Sequence, residues 1–104
     1  MGKILSLSNT EDSLWYQFPA NDETINALNI VFEINDLVYH EIAPNKFTYK
    51  NYLNSGRGEK SFTISNNDII AYFIFTKSTA NLIIRKSLKW KEYEKSMNSV
   101  FDFS

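Results

Sequence analysis

Apolar and polar residues alternate in short runs through most of this 104-residue chain, and the spacing changes to three and four only near the C-terminus. Ile4 to Leu7 and Leu14 to Phe18 read as two short strands, the second ended by Pro19. Asn21-Asp22-Glu23-Thr24 suits the start of a helical turn, because Asx side chains and acids favour a helix N-terminus. From there the even positions Leu28, Ile30, Phe32 and Ile34 are apolar, while Asn29, Val31, Glu33 and Asn35 fill the odd ones. That period of two predicts a hairpin over 28–34 and 37–42, turning at Asn35-Asp36. A helix is the alternative, because no residue in the stretch breaks one.

In the second half, 46–53 reads as a strand with Phe47 and Tyr49 on one face and Thr48, Lys50 and Tyr52 on the other. Asn54-Ser55-Gly56-Arg57-Gly58 marks a turn. Ser61 to Ser65 follows as a strand with Phe62 and Ile64 inward. Ile69 to Thr76 is apolar at nearly every position, which predicts a central strand covered on both faces. Asn81 to Lys86 is the last strand. Ser87 is placed to cap a terminal helix, in which Trp90, Tyr93, Met97, Val100 and Phe101 form one apolar stripe. The expected fold is α+β: one domain over residues 1–104, an antiparallel β-sheet with a C-terminal helix packed on one face.

Composition narrows the class. With 43% hydrophobic and 22% charged residues the chain is globular rather than disordered. Cysteine is absent, which excludes a disulfide scaffold and a thiolate zinc site. No run approaches the roughly 20 apolar residues that cross a bilayer, and the N-terminus has too short an apolar stretch for a signal peptide. A cytoplasmic protein with no membrane association is the expectation.

Charge is divided along the chain. Residues 1–45 carry Glu11, Asp12, Asp22, Glu23, Glu33, Asp36 and Glu41 against Lys3, while residues 46–104 carry ten bases against five acids. A formal net charge of −1 therefore hides an acidic half and a basic half. If the halves occupy separate surfaces, one of them can steer a charged macromolecule.

No catalytic constellation stands out. His40 is the only histidine, so neither a histidine pair nor a multi-histidine metal site can form, and no metal or cofactor is expected. There is no Gly-x-Ser-x-Gly elbow. The loop from Ser55 to Lys60 has two bases and two glycines, but it lacks the spacing of a nucleotide-binding loop. Glu59-Lys60 alone does not make a metal-dependent nuclease site. Two patches remain. Asp22, Glu23, Glu33, Asp36 and Glu41, with the aromatics Trp15, Tyr16 and Tyr39, are what a protein presents to a basic protein partner. Arg85, Lys86, Lys89, Lys91 and Lys95, interleaved with Trp90, are the alternative, a contact to nucleic-acid phosphates.

In size, composition and lack of catalytic groups the whole chain resembles the small immunity proteins with which bacteria neutralise toxins, including those of contact-dependent inhibition systems. The resemblance is one of overall type, so no residue role is carried over from it. It implies a non-catalytic inhibitor, not an enzyme, whose acidic surface covers the cleft of a basic toxin domain such as a nuclease. The alternative class is a nucleic-acid-binding or phage anti-defence protein that uses the basic half, and a small enzyme comes last.

Overall fold

A computed structural model describes residues 2–42, 47–56, 58–87 and 89–103. Lys46, at the start of the 46–53 stretch, and Arg57 of the following turn lie outside the described residues. The elements are β1 (Gly2–Ile4), β2 (Ser6–Asn9), β3 (Ser13–Pro19), α1 (Asp22–Ile34), β4 (Val38–Tyr39), α2 (Tyr49–Asn54), β5 (Glu59–Ser65), β6 (Ile70–Thr76), β7 (Thr79–Arg85), α3 (Trp90–Val100) and β8 (Phe101–Phe103). Strands β2 to β7 form one six-stranded sheet in the order β2-β3-β7-β6-β5-β4, antiparallel at every step. Strands β1 and β8 pair in parallel beside it and bring the two ends of the chain together. The fold is α+β, with the C-terminal helix packed on the sheet as expected.

Strand parity fixes the core. Leu14, Tyr16 and Phe18 of β3, Leu82 and Ile84 of β7, Ala71, Phe73 and Phe75 of β6, and Phe62 and Ile64 of β5 all point to one side and are buried. The helices cover that side: α1 supplies Ile25, Leu28, Val31 and Phe32, α2 supplies Tyr52, and α3 supplies Tyr93, Met97 and Val100. Rings dominate one end of this core. Phe47 stacks edge-on against Phe62 at 4.8 Å and against Phe75 at 5.5 Å, and Tyr52 meets Phe75 at 4.7 Å. Such pairs contribute about 0.5–1.5 kcal/mol each beyond their buried area.

The hairpin expected over 28–34 and 37–42 is instead helix α1 followed by the two-residue strand β4. Ile30 and Ile34 caused the misreading. They completed the alternation with Leu28 and Phe32, yet both lie on the outer side of the helix, 47% and 63% exposed. Asn21 caps the helix, its side chain accepting from the Thr24 amide at 2.9 Å, so the predicted helical start is real and simply continues.

The helix ends in a Schellman turn. The Leu37 amide donates to the Phe32 carbonyl at 2.8 Å, and the Asp36 amide to that of Glu33 at 3.2 Å. Leu37 and Phe32 are both buried there, the apolar contact that usually accompanies this cap. Asp36 holds the left-handed position at φ 55°, where glycine is the unstrained residue. Asp36→Gly should therefore raise stability by about 1 kcal/mol, read as a higher urea midpoint. An unchanged or lower midpoint would show that the aspartate is not strained.

Five smaller expectations also change. The strand read over 46–53 is helix α2, because Thr48 is a cap whose hydroxyl accepts from the Asn51 amide at 3.1 Å. The first strand breaks at Leu5 into β1 and β2. Ser87 does not cap α3; its hydroxyl donates to the Asp68 carbonyl at 2.6 Å, and Lys89 holds the cap position without a side-chain bond. Strand β6 is central but not covered on both faces, since Tyr72 is 36% exposed on the outer side. Helix α3 stops at Val100, and Phe101, the last residue of the stripe, opens β8 while staying buried.

Candidate functional site

The structure sorts the expected acidic site into three groups. Asp22, Glu23 and Glu33 lie on α1 and Asp36 follows its C-cap Asn35, so four of the five acids belong to one helix and the turn that closes it. No lysine or arginine occurs in α1. At 100° per residue, Asp22, Glu23, Asn26, Ile30, Glu33 and Ile34 occupy the solvent half of the helix, opposite buried Leu28 and Phe32. Thirteen residues make this an acidic edge about 20 Å long with two isoleucines set into it. Glu41 does different work: its carboxylate accepts from the Thr63 amide at 2.8 and 3.1 Å and so satisfies part of β5.

The aromatics do not accompany the acids. Tyr16 and Tyr39 are buried, so neither is a surface anchor. The Tyr39 hydroxyl donates to Asn29 Oδ1 at 2.9 Å and packs the ring against Phe32 and Phe62. Trp15 is 48% exposed, but it stands on the far face of the sheet, with its indole N–H donating to Asn81 Oδ1 at 3.1 Å. Ile30 and Ile34 were missed as surface residues. The signal for them was present in the Asn21 cap and the two acids after it, which argue for a helix through the alternating stretch.

Acids at the two ends of α1 differ energetically. Asp22 and Glu23 face the positive end of the helix dipole, where a carboxylate gains about 0.3–1 kcal/mol. Glu33 and Asp36 sit at the negative end, where the same interaction is unfavourable, and the last turn holds no base to offset it. No ion pair to Glu33 or Asp36 is found among the described residues.

The basic candidates are more occupied. Lys86 Nζ donates to Asn9 Oδ1 at 2.5 Å and lies 4.5 Å from the centre of the Trp90 ring. Lys91 lies 5.7 Å from the same ring, and Lys89 pairs with Asp68 at 3.5 Å. Lys95 shares a shallow depression with Glu92, Asn35, Ser96 and Ser99, and Arg85 is exposed at the end of β7. The backbones of the two halves meet at several points: the Lys86 amide bonds the Asp12 carbonyl, Lys3 stands opposite Asp102 between β1 and β8, and α1 packs beside α3. On α1 itself the charge is of one sign, with acids and no base.

Beyond these patches, His40 Nε2 lies 2.5 Å from the Ser65 hydroxyl on the exposed side of the sheet, and the Glu41 carboxylate is taken up by Thr63. Among the described residues no cluster of three or more His, Asp or Glu side chains is placed to hold a metal ion. No helix among them is long and apolar enough to cross a membrane.

Tyr16 has one further property: its buried hydroxyl finds no hydrogen-bond partner among the described residues. Burial, aided by the Glu94 carboxylate, pushes its pKa up to about 12, and burial raises that of Tyr39 as well. The unfolded chain releases these protons near pH 10 while the native protein keeps them. Stability is then constant up to about pH 10 and falls as pH rises from there through the folded value. Tyr16→Phe should remove an unsatisfied buried hydroxyl, raise neutral-pH stability by about 1 kcal/mol, and flatten the alkaline loss. Urea midpoints at neutral and alkaline pH check both effects; a destabilised variant would mean that the hydroxyl is bonded in solution.

No family model matches the chain, and comparison with curated proteins and with solved structures finds no match.

Proposed function

We propose that the chain is a non-catalytic protein-binding inhibitor that docks a basic partner on α1. One observation carries this reading: Asp22, Glu23 and Glu33 on α1, and Asp36 in the turn that closes it, lie on a helix that has no base and exposes Ile30 and Ile34. Charge on the rim and apolar contact at the centre is how interfaces combine steering with affinity. Glu33 and Asp36 oppose the helix dipole, which suits residues kept for a partner rather than for the fold. The partner class that fits is a toxin domain with a basic, substrate-binding cleft such as that of a nuclease. The protein then acts as an immunity protein, blocking the cleft by steric cover and charge.

The test is affinity capture by the tagged protein from its native lysate, with and without nuclease, washed at about 0.15 M salt to weaken long-range surface attraction. A stoichiometric basic protein that survives nuclease, and is lost with the triple variant D22K/E23K/E33K, is the expected result. Nucleic acid alone, released by nuclease and lost when Arg85, Lys89 and Lys95 become glutamate, would overturn it in favour of the basic residues.

A further inference from the structure

At the C-terminal end of α1, the helix and β4 leave between them a depression of about 170 Å³. Its floor is apolar: Phe32, Leu37 and Tyr39 line it and are buried, and Val38, 48% exposed, stands at its mouth. The rings of Phe32 and Tyr39 meet edge-on with centroids 5.7 Å apart, and the Tyr39 hydroxyl is held by Asn29, so the aromatic wall is fixed before anything enters. The depression is also lined by two exposed acids, Glu33 and Asp36.

Those two kinds of lining define what fits. No base among the described residues pairs with either acid, and the C-terminal end of the helix dipole adds to their negative potential. An anion is repelled there, and a purely apolar group would cover the floor while stripping water from two carboxylates. A cation on an apolar stem satisfies both parts. Of the two side chains built that way, arginine matches better than lysine. Its planar guanidinium stacks on an aromatic face and grips a carboxylate through two N–H groups, whereas an ammonium is compact and strongly hydrated. At 100° per residue, Asp22, Asn26, Asn29 and Glu33 fall within about 60° on one flank of α1, so a polar row runs from Asp22 to the depression.

We infer that this depression receives an arginine side chain of the protein partner, its stem against Phe32, Tyr39 and Val38 and its guanidinium between the carboxylates of Glu33 and Asp36. The inference rests on the docking proposed for α1 and makes one part of it specific. An arginine seated in a pocket is the kind of anchor that carries most of an interface's binding energy. Asp22 and Glu23, at the other end of the helix, then steer the encounter, while the depression holds the complex together.

Amide NMR of the protein titrated with N-acetyl-arginine amide at low salt tests the depression without the partner. Saturable shifts at Glu33, Leu37, Val38 and Tyr39 are expected, with a Kd of about 1–20 mM, the range open to so small a ligand. N-acetyl-norleucine amide, which has the stem without the charge, should give no saturable shift, and N-acetyl-lysine amide should bind at least about threefold more weakly. Glu33→Gln, and Val38→Trp to fill the mouth, should each weaken arginine binding at least about fivefold with unchanged circular dichroism. On the captured partner, Val38→Trp should speed dissociation by about tenfold or more. No saturable shift up to about 50 mM overturns the inference, as does equal binding of the norleucine or lysine amide. A partner held by Val38→Trp as firmly as by wild type also overturns it, and leaves docking on the rest of α1 standing. A capture that yields no protein removes the docking reading, and this inference with it, however the titration reads.

Discussion

Replacing Phe75 by alanine should destabilise the protein by about 3–5 kcal/mol, enough to remove much or all of the stability of a domain this size. Phe75 is fully buried at the centre of the ring cluster, with Tyr52 at 4.7 Å, Phe47 at 5.5 Å, and Tyr49 and Phe73 at 5.9 Å. Four rings close on it from β6, α2 and the segment before α2, so the hole left by alanine cannot collapse without moving a helix. Helix α2 has only six residues and is far too short to hold its shape alone. What keeps it on the sheet is Tyr49 and Tyr52 against Phe75, together with the Tyr52 hydroxyl donating to the Gly58 carbonyl at 3.1 Å. The damage should therefore be uneven: amide exchange in α2 should rise more than in β7, where Leu82 and Ile84 pack on other partners. Phe75→Leu keeps most of the volume and should lose only about 1–1.5 kcal/mol. Urea unfolding of the three proteins decides it, and a loss below about 1 kcal/mol for alanine would mean that the cluster repacks.

How far the fold can be read from the chain depends on whether burial follows sequence parity. Strands β5, β6 and β7 and helix α3 were legible because their apolar residues do face the core. Phe62 and Ile64 point inward as their alternation predicts, and Tyr93, Met97 and Val100 follow helical spacing. Helices α1 and α2 were not legible, for one shared reason: residues kept at the surface or at a cap imitate a strand. Ile30 and Ile34 complete a period of two while lying in solvent, and Thr48, read as an outward strand position, is a helix cap. The bareness of the outer sheet face was also hidden, because β6 is apolar on both sides and only the placement of all three helices on one side exposes Tyr72. For the candidate site, the acids were identified from the sequence, but their collection on α1 was not. The burial of Tyr16 was within reach: Leu14, Tyr16 and Phe18 share a strand face, so Trp15 must take the other one.

Glu33→Lys should raise the stability of the free protein while slowing its association with a basic partner, and this pairing of opposite effects is the sharpest check on the acidic helix. The carboxylate of Glu33 sits in the last turn of α1, where the unsatisfied carbonyls carry partial negative charge and no base stands nearby on the helix. A lysine there reverses the sign of that interaction and should gain about 0.3–1 kcal/mol. Asp22→Lys makes the same change of charge at the other end of the helix, where it loses a favourable interaction of similar size. The two variants carry equal net charge and so should be equally poor at steering a basic partner, with association rates reduced at low salt by about tenfold or more and converging with wild type as salt rises. Their unfolding midpoints should move in opposite directions. Stopped-flow association with the captured partner and urea unfolding of the free proteins measure the two quantities separately. If both variants lose stability together, Glu33 has a structural partner in solution. If neither changes the association rate, α1 is not the docking surface, and an acid retained against its own helix dipole has no binding role to explain it.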